Sequence, residues 1–180
     1  KGIERRDRLN SFVENNNWLK VFYAEYTFEV DFVKSGNASE VEQILNEVYS
    51  DEPTKISAKT ELNSNDVSLF GKRVLKIAKQ EGKGWFAIML GQHISHKTVM
   101  PKYILDSLIF SKDNYTNELI ADIIEYRINK NFSENDKLDF TSCNKAIDDF
   151  RKGVSKLSLL KTELQKVIKN DQIINFLNRF

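Results

Sequence analysis

The sequence predicts an α/β fold whose remainder is predominantly α-helical. Three observations carry that expectation. Leu19-Lys20-Val21-Phe22-Tyr23-Ala24 is a compact run rich in β-branched and aromatic residues, the strongest strand signal in the chain. Beyond Asp66, apolar residues recur at helical spacing almost without pause. Only 7 Gly and 2 Pro occur in 180 residues, few for a many-turned β protein and natural for long helices.

The elements follow in order. Residues 3–14 read as a short charged helix with Ile3, Leu9, Phe12 and Val13 as its apolar contacts, stopped by Asn15-Asn16-Asn17. The near-continuous apolarity of 19–24 suggests a strand covered on both faces. Thr27 can cap a helix opening with Phe28-Glu29-Val30-Asp31-Phe32-Val33 and ending near Gly36, and two acidic residues suit its first turn. Ser39 with Glu42 forms a capping-box pattern for a helix to about Tyr49, with Val41, Ile44, Leu45 and Val48 on one face. Residues 50–65 read as a polar connection containing Pro53, with a weak extended signal from Ile56 to Leu62.

Val67, Phe70, Val74, Ile77 and Ala78 then stripe a helix up to Gly82. Another starts at Lys83-Gly84, and Pro101 suits the first turn of the next. Leu119, Ile120, Ile123, Ile124 and Ile128 mark a further helix. Leu157, Leu160, Leu164, Val167 and Ile168 form a stripe that must be buried on the domain or on another subunit. One buried-type strand cannot make a sheet, because its backbone groups need neighbouring strands. Either weak strands elsewhere in the chain supply them or they lie in sequence preceding Lys1, and the lack of an initiator Met favours the second.

Composition narrows the function. The balance of 41% hydrophobic and 29% charged residues is that of a soluble globular protein. A formal net charge of +1 excludes a molecule-wide basic field, so a nucleic-acid site must be a local patch. The single Cys143 excludes an internal disulfide and a multi-cysteine zinc site, which points to a reducing cytoplasm. No apolar run approaches the roughly 20 residues that span a bilayer, and the start has no signal-peptide character.

Ligands in open α/β sheets gather beyond the carboxyl ends of strands, and Glu29 would stand there, in the first turn after 19–24. A carboxylate so placed can hold a hard divalent cation, although offsetting the helix dipole is the plainer reading from position alone. Lys83 at a helix start opposes the macrodipole unless something negative binds there. Gly84 permits close approach of another backbone, and a surface lysine after a Gly82 stop is the plain alternative. His93 and His96 at i, i+3 lack further zinc ligands and read as a structural or solvent-facing pair. Cys143 reads as inert, and Asp106 and Asp148-Asp149 as solvated helix faces. Arg5, Arg6, Arg8, Lys20 and Lys34 form either a local basic patch or a hydrated face.

Taken together, these blocks resemble the OLD (overcoming lysogenization defect) family of endonucleases. Leu19 to Ala24 followed by Thr27-Phe28-Glu29-Val30-Asp31-Phe32 resembles its strand-to-helix block. Lys83-Gly84-Trp85-Phe86-Ala87 resembles its Lys-Gly-x-Phe-Ala block, and Pro101-Lys102-Tyr103-Ile104 its downstream Pro-x-Tyr-Ile helix. Order and separation also fit, over roughly residues 5–112. Trp85 stands where Arg or Tyr is more usual, and Val30 where an aromatic is common.

The resemblance implies the C-terminal half of a Toprim nuclease region over residues 1–112, followed by a helical tail over 113–180. It implies Mg²⁺ or Mn²⁺, two ions in the complete site, with Glu29 a metal ligand and Glu29 and Lys83 catalytic. Lys83 and Gly84 would contact DNA. An upstream Asp-x-Asp, an ABC-type ATPase domain of the same protein, a role in phage defence and a homo-oligomer are further expectations. The chain alone is expected to be inactive. Asp31, about 200° around a helix from Glu29, is expected to support structure. The competing class is a noncatalytic helical dimerisation or partner-docking module.

Overall fold

The computed structural model describes residues 2–112, 114–132 and 138–180. Every regular element among them is a helix, so the predicted α/β fold is wrong and the described fold is all-helical. The error lies at 19–24, which runs as irregular chain without strand pairing. Composition alone cannot make a strand, because the ladder depends on neighbours that local sequence does not supply. The segment is tied instead to a helix. Tyr23 donates its hydroxyl to Asn10 Oδ1 at 2.9 Å and to the Arg6 carbonyl at 3.2 Å, and the Arg6 guanidinium lies over the Tyr23 ring. No helix of the described residues is long and apolar enough to cross a membrane.

The chain divides into two compact units, Lys1–Ser107 and Leu108–Phe180. The first begins with α1 (Gly2–Val13), which buries no residue; Ile3 and Phe12, expected as contacts, are exposed. Helix α2 (Phe28–Lys34) buries Glu29 to Val33 and packs on α6 (Val67–Gln80), which Asp66 caps by accepting from Ser68 N at 2.7 Å. Phe70, Val74, Ile77 and Ala78 face inward, as their spacing predicts.

Two local expectations fail between these helices. The Ser39–Glu42 capping box does not form: α3 (Ala38–Glu42) starts after Asn37, and Ser39 Oγ donates to Glu40 instead. A second short helix, α4 (Leu45–Val48), follows. Val41, Ile44, Leu45 and Val48 are nevertheless all buried. The supposed connection at 50–65 contains α5 (Glu52–Leu62), capped by Asp51 accepting from Thr54 N at 2.9 Å, with Pro53 in its first turn. Arg73 of α6 holds α5 through Glu61, with two N–H bonds of 2.8 Å, and also reaches the Tyr49 hydroxyl.

After α6 the chain turns at Gly82, whose φ of 90° is a conformation that side chains with a Cβ rarely adopt. Helix α7 (Lys83–Gly91) then buries Phe86 and Leu90 in the same core as α2 and α6. The last helix to begin in this unit is α8 (Lys102–Ser111), directly after Pro101.

In the second unit α10 (Thr141–Arg151) packs on α9 (Asn117–Phe132) and on α11 (Leu157–Val167), and α11 on α12 (Gln172–Leu177). Leu160, Leu164 and Ile168 are buried, as are Ile124, Ile147 and Leu177, while Leu157 and Val167 are half-buried. The stripe is thus core of its own unit. Arg127 clamps Asp171, which also caps α12 through Ile173 N.

Candidate functional site

Glu29 enters the site because α2 starts immediately after the 25–27 turn, which places position 29 in its first turn. Asp31 fixes that turn, accepting from Glu25 N at 2.9 Å and from Tyr26 N at 3.3 Å. Both its oxygens are occupied by main-chain donors, in keeping with a structural role. Lys83 enters from the other side, as the first residue of α7 after the Gly82 turn.

The two meet. Lys83 Nζ lies 2.8 Å from Glu29 Oε1, although the two meet between helices and not on an edge of an α/β layer. The Glu29 side chain is only 7% exposed, whereas that of Lys83 is 58% exposed. Burial pushes the Glu29 carboxyl up, but hydrogen bonds from Lys83 and Thr27 outweigh it and hold the group below its ordinary value. Thr27 stands at the N-cap position without bonding the helix backbone. Glu29 Oε2 is buried and has no hydrogen-bond partner, an uncompensated acceptor beside a paired one.

Asn37, buried at the end of the α2 turn, was not legible as a site residue. Its Nδ2 donates to Phe32 O at 2.9 Å and to Val99 O at 2.7 Å, and its Oδ1 accepts from Val99 N at 2.7 Å. That clamp brings the 99–103 segment beside α2. Burial raises the Tyr103 phenol, and the charges of Asp31 and Glu29 raise it further. Tyr103, Asp31, Lys34, Lys102 and Arg6 line an open cleft of about 650 Å³. Neither Glu29 nor Lys83 lines it, so the cleft and the ion pair are separate features of this unit.

Gly84 is exposed, and a Cβ there would meet nothing within 4 Å. Its smallness serves no packing among the described residues. His93 and His96 fall beyond the end of α7 in irregular chain, not on a helix face. Cys143 is buried and its Sγ donates to Glu163 O at 3.3 Å, with burial raising the thiol, as suits an unreactive residue. Asp106, expected on a solvated face, is largely covered and paired with Lys102. Three members of the basic set have local partners, Arg6 on Tyr23, Lys20 on the Phe22 ring and Lys34 on Glu25, and of these Arg6 and Lys34 share the cleft.

A divalent cation requires several oxygen ligands. Glu29 Oε2 fits the part of one of them, being anionic, buried and unpartnered. Among the described residues no group of three His, Cys, Asp or Glu side chains could hold a metal ion. This chain therefore offers one ligand and a neighbouring ammonium rather than a complete metal centre. The chain matches no protein-family model, no curated protein and no solved structure.

Proposed function

We propose that this chain is part of a metal-dependent DNA endonuclease of the OLD kind, hydrolysing phosphodiester bonds once other carboxylates complete the site. One observation carries the reading. Two residues far apart in sequence, each chosen for its place in a nuclease-like block, converge to 2.8 Å with one carboxylate oxygen left open. Mg²⁺ or Mn²⁺ bound in the completed site would activate water and neutralise the leaving oxygen. Glu29, buried in the first turn of α2, presents a charged oxygen at a fixed place. Lys83 carries its charge on a flexible stem and can follow the phosphoryl oxygens as negative charge builds on them. Gly84 leaves the start of α7 open to a DNA backbone. The proposal includes a cytoplasmic protein, an ATPase domain in the same polypeptide, homo-oligomerisation and a role in antiviral defence.

The test is nicking of supercoiled plasmid by the complete protein with Mg²⁺ or Mn²⁺, with circular dichroism as a fold control. Lys83→Ala is expected to slow cleavage by about 10²–10³-fold, the scale for one preorganised electrostatic stabiliser. Glu29→Ala is expected to abolish it. The 180-residue chain alone is expected to cut poorly or not at all, since one carboxylate cannot position a hydrated cation. Folded variants of both kinds that cut like the parent would refute the reading. That outcome would favour a noncatalytic helical module, in which the ion pair simply ties α2 to α7; the all-helical character of the described residues supports this second reading.

A further inference from the structure

A nucleic-acid site in this chain must be a local patch, because the formal net charge is only +1. Helix α6 supplies one. Its 14 residues carry four cations, Lys72, Arg73, Lys76 and Lys79, and no carboxylate. Arg73 is buried and held by Glu61, whereas the three lysines are exposed and form no ion pair among the described residues. We propose that Lys72, Lys76 and Lys79 form a face that holds a nucleic-acid backbone by its phosphates, without reading sequence and apart from the Glu29–Lys83 pair. Holding a backbone requires no cleavage, so this face stands whether or not that pair is catalytic.

Spacing at i, i+4 and i+7 puts the three lysines within about 60° of one another around the helix, over about 10.5 Å of its axis. That length matches about three phosphate steps of one B-DNA strand, which follow at about 3.4 Å along the duplex. Exposed lysines suit the task, since neutralising phosphates releases condensed counter-ions and needs no burial. With Leu75 and Gln80 they border an open groove of about 580 Å³. Those two side chains are committed elsewhere: Leu75 packs against the core and Gln80 donates to Val48 O at 3.1 Å. Neighbouring acids do not neutralise the row. Asp66 accepts from Ser68 N, Glu61 holds Arg73, and Glu81 at the C-cap lies about 200° around the axis from Lys79. A lipid surface fits less well, because the same face exposes one large apolar residue, Leu69, and no aromatic to insert.

Anisotropy of a short fluorescent duplex, titrated with the 180-residue chain in chelator between roughly 50 and 200 mM salt, gives the slope of log affinity against log salt. Combining Lys72→Gln, Lys76→Gln and Lys79→Gln is expected to flatten that slope by about 0.9 per lysine, roughly 2.7 in all, and equally for duplexes of unrelated sequence. The same charge change at exposed Lys145, Lys152 and Lys156 of the second unit is expected to leave the slope nearly unchanged. Circular dichroism checks the fold of both variants. No duplex binding by the parent chain, an unchanged slope in the α6 variant, or equal flattening in both variants would overturn the proposal. So would loss of binding to phosphatidylserine vesicles in the α6 variant with duplex binding intact, which would assign the row to a lipid surface. The two readings fail separately. A flattened slope, in a protein whose complete form cuts DNA without needing Glu29 or Lys83, keeps the face and refutes the cleavage site. An unchanged slope, with cleavage that still needs Lys83, does the reverse.

Discussion

Pairing Glu29→Gln with Lys83→Met in a double-mutant cycle isolates the interaction that defines the site. The contact is 2.8 Å and charge-assisted, of a kind that contributes about 1.5–3 kcal/mol when protected from water. Lys83 is 58% exposed, so solvent screening brings the expected coupling down to about 1–2 kcal/mol. Tryptophan fluorescence during urea unfolding reads the first unit selectively, because both tryptophans, Trp18 and Trp85, lie in it. The pH dependence has a definite sign. Glu29 is held below its ordinary value of 4.5 in the folded state, so the stabilisation is complete above that pH. It is lost as pH falls through the lower folded value. Coupling at pH 7 below about 0.5 kcal/mol, within the error of additivity, would refute the reasoning.

Two further outcomes concern what holds the site and the tail in place. Asn37→Ala removes three hydrogen bonds and leaves the Val99 N–H and C=O without their partner, so the first unit is expected to lose about 2–4 kcal/mol, with faster hydrogen exchange at Val99 as the specific readout. Leu164→Asp places a charge at a fully buried position of α11; loss of helical circular dichroism without a change in sedimenting mass is expected if the stripe is core of its own unit, and a changed mass with intact helicity would contradict that.

Legibility in the sequence followed the range of the forces involved. Helix α6 could be read because its cap and its apolar stripe are both local, Asp66 opening it and Phe70, Val74 and Ile77 lining it. Helix α7 was placed at Lys83 for similar reasons, a glycine stop followed by a dense apolar run. Helix α5 was missed although Asp51 and Pro53 marked its start, since Ile56 is exposed and only Ala58 and Leu62 bury, too few to make a visible stripe. The capping box at Ser39 misled because a tertiary bond governs the neighbouring residue. Asn37 occupies the N-cap position of α3 yet spends its side chain on Val99. At 19–24 the apolar and aromatic composition was read correctly, but pairing is non-local and the segment anchors to α1 through Tyr23.

The site was legible as residue types and not as a state of burial. A glutamate in a first helical turn reads as a dipole partner, which calls for an exposed carboxylate on a helix of some length. Here α2 has 7 residues and Glu29 is buried, so the dipole does not account for it. A lysine opening α7 is likewise unfavourable by itself. Each placement costs stability alone, and the two offset one another only because the fold brings them together. A charged pair with one carboxylate oxygen unsatisfied is a local conflict that packing alone leaves unexplained, and the proposed nuclease site would account for it.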